Sequence, residues 1–198
     1  MKKILYMGIV VCIAFLTLVN CGRASGYERG ILTETGFESK YLDIRFTLPE
    51  GFIMATEEDM RLMMGIGADI TGANTNFVNM TTVYEMMASA PVGLPNVILM
   101  VERLILSNIT TEQYFDILKN NLSDIDTIDY EFGDQITSVE IAGQIYKQLS
   151  ASIPGWDVFQ NYTFRRQGNR MVGFITTYSL DTKEELEILM NGFSRLTF

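Results

Sequence analysis

Asn96-Val97-Ile98-Leu99-Met100-Val101-Glu102-Arg103-Leu104-Ile105-Leu106 is nearly continuous apolar sequence, interrupted only by Glu102-Arg103. With Val and Ile in it and a length well short of a bilayer span, the run fits a central strand covered on both faces. Neighbours on a strand point to opposite faces, so Glu102 and Arg103 do not form one paired site. Each is read as a rim residue where the sheet emerges. A strand buried on both sides needs covers, and the next segment supplies one. Thr110 as N-cap with Gln113 three residues later forms a capping box, and Ile109 staples onto Tyr114. Tyr114, Phe115, Leu118 and Leu122 then fall on one helical face.

Reading outward toward the N-terminus, Leu42-Asp43-Ile44-Arg45-Phe46-Thr47-Leu48 alternates apolar and polar as a half-buried strand does, and Pro49-Glu50-Gly51 turns it. Thr56 with Asp59 marks a helix start, with Met60, Met63 and Met64 on one face. Gly65 to Asn79 reads as a loop, Met80 to Ser89 as a strand, and Ala90 to Pro95 as a turn-rich connection. Toward the C-terminus, Ser123 to Gln135 carries five acids and reads as an exposed connection. A strand follows from Ser138, kinked at Gly143 and running through Tyr146 and Leu149. Val158–Arg166 and Arg170–Tyr178 flank Gln167-Gly168-Asn169 as a β-hairpin. Thr182 and Glu185 predict a last capping box, with Leu186, Leu189, Met190 and Phe193 as the stripe of the final helix.

This order predicts an α+β domain: an antiparallel β-sheet with helices packed against it. It resembles the PsbP-like group, which includes the photosystem PsbP proteins, the Mog proteins and the DcrB-type lipoproteins. The resemblance is carried by Phe46-Thr47-Leu48-Pro49-Glu50-Gly51-Phe52, Ile141-Ala142-Gly143-Gln144-Ile145-Tyr146, Gln160 to Arg166, Met171 to Ile175, and Phe193. It implies an α/β/α sandwich over residues 40–198. It implies no common activity, since such proteins act as binding or scaffolding modules with different partners.

The N-terminus carries a separate message. Lys2-Lys3, an apolar run from Ile4 to Val19, then Asn20-Cys21-Gly22 reads as a bacterial lipoprotein signal. Leu18, Val19 and Cys21 fit the lipobox; Asn20 stands where Gly, Ala or Ser is usual. Cleavage before Cys21 and diacylation of its sulfur are expected, since two chains anchor stably where one does not. An uncleaved signal anchor and full secretion are the other readings, and all three place the domain outside the cytoplasm. The chain thus divides into a signal at 1–20, a flexible tether at 21–39 and a single domain at 40–198. The expected location is the extracytoplasmic face of a bacterial cell membrane.

Composition narrows the chemistry. Without the two lysines of residues 1–20, 13 basic and 24 acidic residues remain, a net charge of −11. That disfavours nucleic acid and argues against attachment through a basic patch. The chain has no histidine, and its two cysteines are Cys12, in the signal, and Cys21. Ser-His-Asp and Cys-His catalysis, a Cys/His metal site and a disulfide in the mature domain are therefore excluded. No cofactor is expected.

The most unusual residues left are methionines: Met54, Met60, Met63, Met64, Met80, Met86 and Met87 lie within 34 residues. Methionine suits adaptable apolar surfaces. Met60, Met63 and Met64 with Phe77 are the candidate binding residues for a protein partner or apolar ligand, and ordinary core packing is the competing reading. Arg165, Arg166 and Arg170 cluster at a hairpin tip and read as a solvated turn. The acids from Asp124 to Asp134 lack the EF-hand pattern and read as a solvated loop. The sequence therefore points to a lipid-anchored, non-catalytic binding or scaffolding module. A carboxylate-based envelope hydrolase and a transporter-associated solute-binding protein stand as alternatives.

Overall fold

The computed structural model describes residues 26–63, 81–105, 108–125 and 128–196. Its frame is an eight-stranded antiparallel sheet. Strands β4 (Ile53–Met54), β5 (Thr82–Ser89), β6 (Asn96–Arg103), β11 (Arg170–Tyr178), β10 (Val158–Gln167), β9 (Gln144–Ile153) and β7 (Glu131–Phe132) lie side by side in that order, and β8 (Thr137–Ile141) also pairs with β9. A second, four-stranded antiparallel sheet runs β1 (Ile31–Thr33), β2 (Gly36–Ser39), β3 (Ile44–Thr47) and β12 (Phe193–Arg195). The antiparallel α+β class expected from the sequence is what the chain adopts.

Strand β6 is the centre of both cores. Its even positions Ile98 and Met100 join Leu149, Tyr162, Phe164 and Ile175 beneath helix α1 (Thr111–Ser123). Its odd positions Val97, Leu99 and Val101 join Phe174 against Phe37, Ile44 and Phe46 of the small sheet and Leu189 of helix α2 (Lys183–Met190). Every residue from Asn96 to Val101 is buried, which is the meaning of the unbroken apolar run. One cover is a helix; the other is a small sheet with a helix beside it.

Helix α1 forms as its sequence specifies. The Thr110 hydroxyl accepts from the Gln113 backbone N–H at 3.2 Å, and the Gln113 side chain accepts from the Thr110 N–H at 2.9 Å. Tyr114, Phe115, Leu118 and Leu122 are its buried residues. Tyr114 and Phe115 both meet the ring of Phe164, at 5.0 and 5.7 Å between centroids. That ring lies flat enough to be covered because its cross-strand neighbour is Gly173. A Cβ at Gly173 would stand 2.0 Å from Phe164 Cε1.

Four expectations need correction. Residues 31–39, expected as part of the tether, are strands β1 and β2, and Phe37 is fully buried in the core. The kink at Gly143 is a complete reversal: Ile141 pairs with Gln144, and Ala142 and Gly143 both take positive φ, 52° and 71°. The final capping box belongs to Ser179 and Thr182 around a 3₁₀ turn at Leu180–Thr182, and Thr182 makes no side-chain cap for α2. Phe193 leaves the helix and enters the core from strand β12. Thr56 and Asp59 do cap the helical residues 57–63 reciprocally, at 3.0 and 3.1 Å.

The antiparallel order gives the large sheet two distinct ends. At the Gly168 end β6 and β10 finish while β5, β9 and β11 begin. At the Trp156 end lie the loops of residues 90–95, 154–157 and 179–182.

Gly173→Ala should lower unfolding stability by about 1–3 kcal/mol through overpacking against Phe164. Denaturant titration followed by circular dichroism measures it, and an unchanged midpoint would contradict the close approach.

Candidate functional site

The densest polar arrangement lies where the chain first meets the large sheet. The register of β5 against β6 jumps between Tyr84 and Met86, so Glu85 is the extra residue of a bulge. A bulge re-aims its side chain. Glu85 turns toward the small-sheet face and is 1% exposed. The Tyr27 hydroxyl donates to Glu85 Oε1, and the Gly30 backbone N–H donates to Glu85 Oε2 at 2.9 Å. Between them, Arg29 donates to the Tyr84 carbonyl at 2.9 Å and pairs with Glu57 at 3.3 Å. The Arg170 guanidinium lies 4.1 Å from the centre of the Tyr27 ring, whose other contact is the edge of Tyr41 at 5.1 Å. Gly30 permits this approach, since a Cβ there would stand 2.2 Å from the Phe37 ring.

Burial raises the pKa of Glu85; the Tyr27 hydrogen bond, the Gly30 N–H and the charges of Arg29 and Arg170 pull it partly back. Burial likewise raises that of Tyr27, and its bond to Glu85 adds to the rise. Chemically this is a latch: a buried carboxyl group fixed by two donors from the N-terminal segment.

A second carboxyl group, half-buried, lies on the opposite face. Glu102 pairs with Met171 in register and is met by α1, where the Tyr114 hydroxyl donates to its Oε2 at 2.5 Å. Burial pushes Glu102 up to about 7, with the Tyr114 hydrogen bond acting in the lowering direction. Tyr114 itself is raised by burial and then by the Glu102 charge. A carboxylate-based hydrolysis needs two such groups in one cleft. Glu85 and Glu102 are separated by the sheet, and each faces a tyrosine. Among the described residues no three His, Cys, Asp or Glu side chains are placed to hold a metal ion.

The sequence candidates scatter. Met60 is buried with Tyr84 and Ile98 in the core beneath α1, and Met63 is half-buried. Met64 and Phe77 lie outside the described residues, as does Met80. Met86 is fully buried and Met87 packs against the core from its edge. A shallow cleft of about 260 Å³ is lined by Met60 with Arg29, Arg61 and Tyr84.

Glu102 is half-buried rather than a simple rim residue. The arginine cluster also divides. Arg166 is exposed and donates to the Gly168 and Ile109 carbonyls, Arg165 lies 5.2 Å from the Tyr146 ring centre, and Arg170 is buried in the latch.

Sequence reasoning missed Tyr27 and Glu85 and read the buried Arg170 as part of a solvated turn. The one available sign was an acid inside the apolar strand Thr82–Ser89. The opposite end of the sheet carries Trp156, 41% exposed, beside an open cleft of about 560 Å³ that includes Pro154, Phe159 and Glu131.

No protein-family model matches the chain, and no curated protein matches it. Among solved structures it is similar to the solution structure of cyanobacterial PsbP (CyanoP) from Synechocystis sp. PCC 6803. That likeness has 11% identity and a TM-score of 0.49, and covers 88% of this chain and 98% of the other.

Two substitutions test these carboxyl groups. Tyr27→Phe leaves Glu85 short of a donor and should cost about 1–3 kcal/mol. Hydrogen exchange at residues 31–33 should speed up with it, and unchanged exchange would mean that the latch does not hold the segment. Because the pKa of Glu102 is raised on folding, its ionisation opposes the folded state. Its contribution is fully present below pH 4.5 and lost as pH rises toward about 7. Glu102→Gln should therefore match the wild type in the acid range and exceed it above pH 7 by on the order of 2–3 kcal/mol. Parallel stability curves for the two proteins between pH 4 and about 8 would contradict this.

Proposed function

We propose that the chain is a lipid-anchored protein of the bacterial cell envelope, a non-catalytic binding or scaffolding module held at the extracytoplasmic face of the membrane. The observation that carries the proposal is the N-terminus: two lysines, a predominantly apolar run of sixteen residues from Ile4 to Val19, and Cys21 behind Leu18 and Val19. Diacylation of Cys21 supplies the two acyl chains that stable anchoring needs. Among the described residues no helix is long and apolar enough to cross a membrane.

A binding role is supported by what the buried groups do. Both carboxyl groups with raised pKa are spent on holding chain segments together, Glu85 on the N-terminal segment and Glu102 on α1. The partner is a protein or an apolar ligand. The resemblance of the sequence to the PsbP-like group implies the same kind of role.

Growth with a radiolabelled fatty acid tests the anchor. Label should appear on the wild type and be lost from Cys21→Ser, with the wild-type chain shortened by residues 1–20. An unlabelled wild type would overturn the lipid anchor. Crosslinking in cells, compared between the two proteins, then separates partners that depend on location from those that do not.

A further inference from the structure

The net charge of −11 over residues 21–198 conceals a polarity set by the strand order. At the Trp156 end Asp129, Glu131, Asp157, Asp181, Glu184 and Glu185 are all exposed, against Lys183 alone in those loops. The Gly168 end is the reverse. The last rows of the sheet place Arg103 opposite Arg170 and bring Arg165 and Arg166 beside them on β10. Arg61 lines the cleft next to Thr82 and Tyr84, and Lys40 adjoins Tyr41, whose carbonyl receives Gln167.

Some of the acids at this end are withdrawn: Glu85 is buried, Glu102 is half-buried on Tyr114, Glu57 is paired with Arg29 and Asp43 with Arg195. Glu28, Glu58, Asp59, Glu112, Asp116 and Glu140 remain exposed. Two bare apolar side chains stand among the cations, Leu62 at 63% and Ile145 at 62% exposed.

The N-terminal segment joins the fold at this same end, because Tyr27 is fixed between Glu85 and Arg170. Tyr27 lies six residues after Cys21 in the chain, a reach of about 20 Å when fully extended. We propose that the Gly168 end docks on the anionic phospholipid headgroups of the membrane that holds the anchor, with the acidic Trp156 end directed away. The proposal rests on the lipid-anchor reading for what brings this end to the bilayer. Charge complementarity then orients the domain: arginines on an anionic surface are favoured, and acids held beside it are not. Screening limits the effect to about 8 Å at physiological salt, so the cations must lie at the surface to act.

The single tryptophan of the chain makes the orientation measurable, since Trp156 sits at the far end of strands about 30 Å long. The full-length protein, processed in its host, is reconstituted on vesicles of phosphatidylcholine and on vesicles of phosphatidylcholine with phosphatidylglycerol. Both carry an energy acceptor on a lipid headgroup. Transfer from Trp156 should be weaker on the anionic vesicles, and raising the salt should abolish the difference. Arg61→Glu with Arg166→Glu should abolish it too, while Arg61→Lys with Arg166→Lys keeps it.

Equal transfer on the two vesicles, or stronger transfer on the anionic ones, overturns the docking. The salt series needs no variant, so a misfolded substitution leaves the test intact. The mass of the Cys21 peptide is read on the same sample. A composition-dependent difference without an acyl mass supports the docking and overturns the lipid anchor alone.

Discussion

Burial of β6 and β11 on both faces is the constraint that the remaining architecture answers. A strand with no solvent face must be covered twice, and the two covers come from distant parts of the chain. Helix α1 follows β6 directly and closes one side. The other side draws on residues 31–47 from the start of the domain and 183–195 from its end, joined where β3 pairs with β12. The chain termini of the domain are thereby part of its core. Removing either end would expose Phe37, Phe46 or Phe193, which pack on one another and on Phe174.

How much of this was legible in the sequence depended on how local the cause was. Helix α1 could be read completely, since its cap, staple and buried face lie between Ile109 and Leu122 and depend on nothing remote. The central strand could be read because burial on both faces writes itself as an unbroken apolar run. Strands β1 and β2 could not, because they are only three and four residues long and are held by pairing, β1 on β2 and β2 on β3. No periodicity develops over so short a distance. The hairpin at Ala142-Gly143 was hidden by alanine in a left-handed position that a sequence reading assigns to glycine or asparagine.

The candidate site was the least legible part, for a related reason. Glu85 gains its environment from a register shift between two strands and from a segment 55 to 58 residues away. Nothing in a pattern of apolar and polar residues marks a bulge. The methionines were open to two readings, an adaptable surface or core packing, and Met60 and Met86 take the second, on the two faces of β5. That is the gap-filling use of a flexible, polarisable side chain. Net charge was correct as a total and silent about distribution, which only the strand order reveals.

The outer edge of β5 has a consequence of its own. Its partner β4 is two residues long and pairs only with Ala88 and Ser89. Farther along, Ala55 donates to the Met87 carbonyl and the Arg29 guanidinium takes the Tyr84 carbonyl. The bulge at Glu85 breaks the regular spacing between them. Two neighbouring copies therefore find no straight ladder on this edge along which to zip together. Such an edge works against uncontrolled strand-by-strand assembly into fibrils.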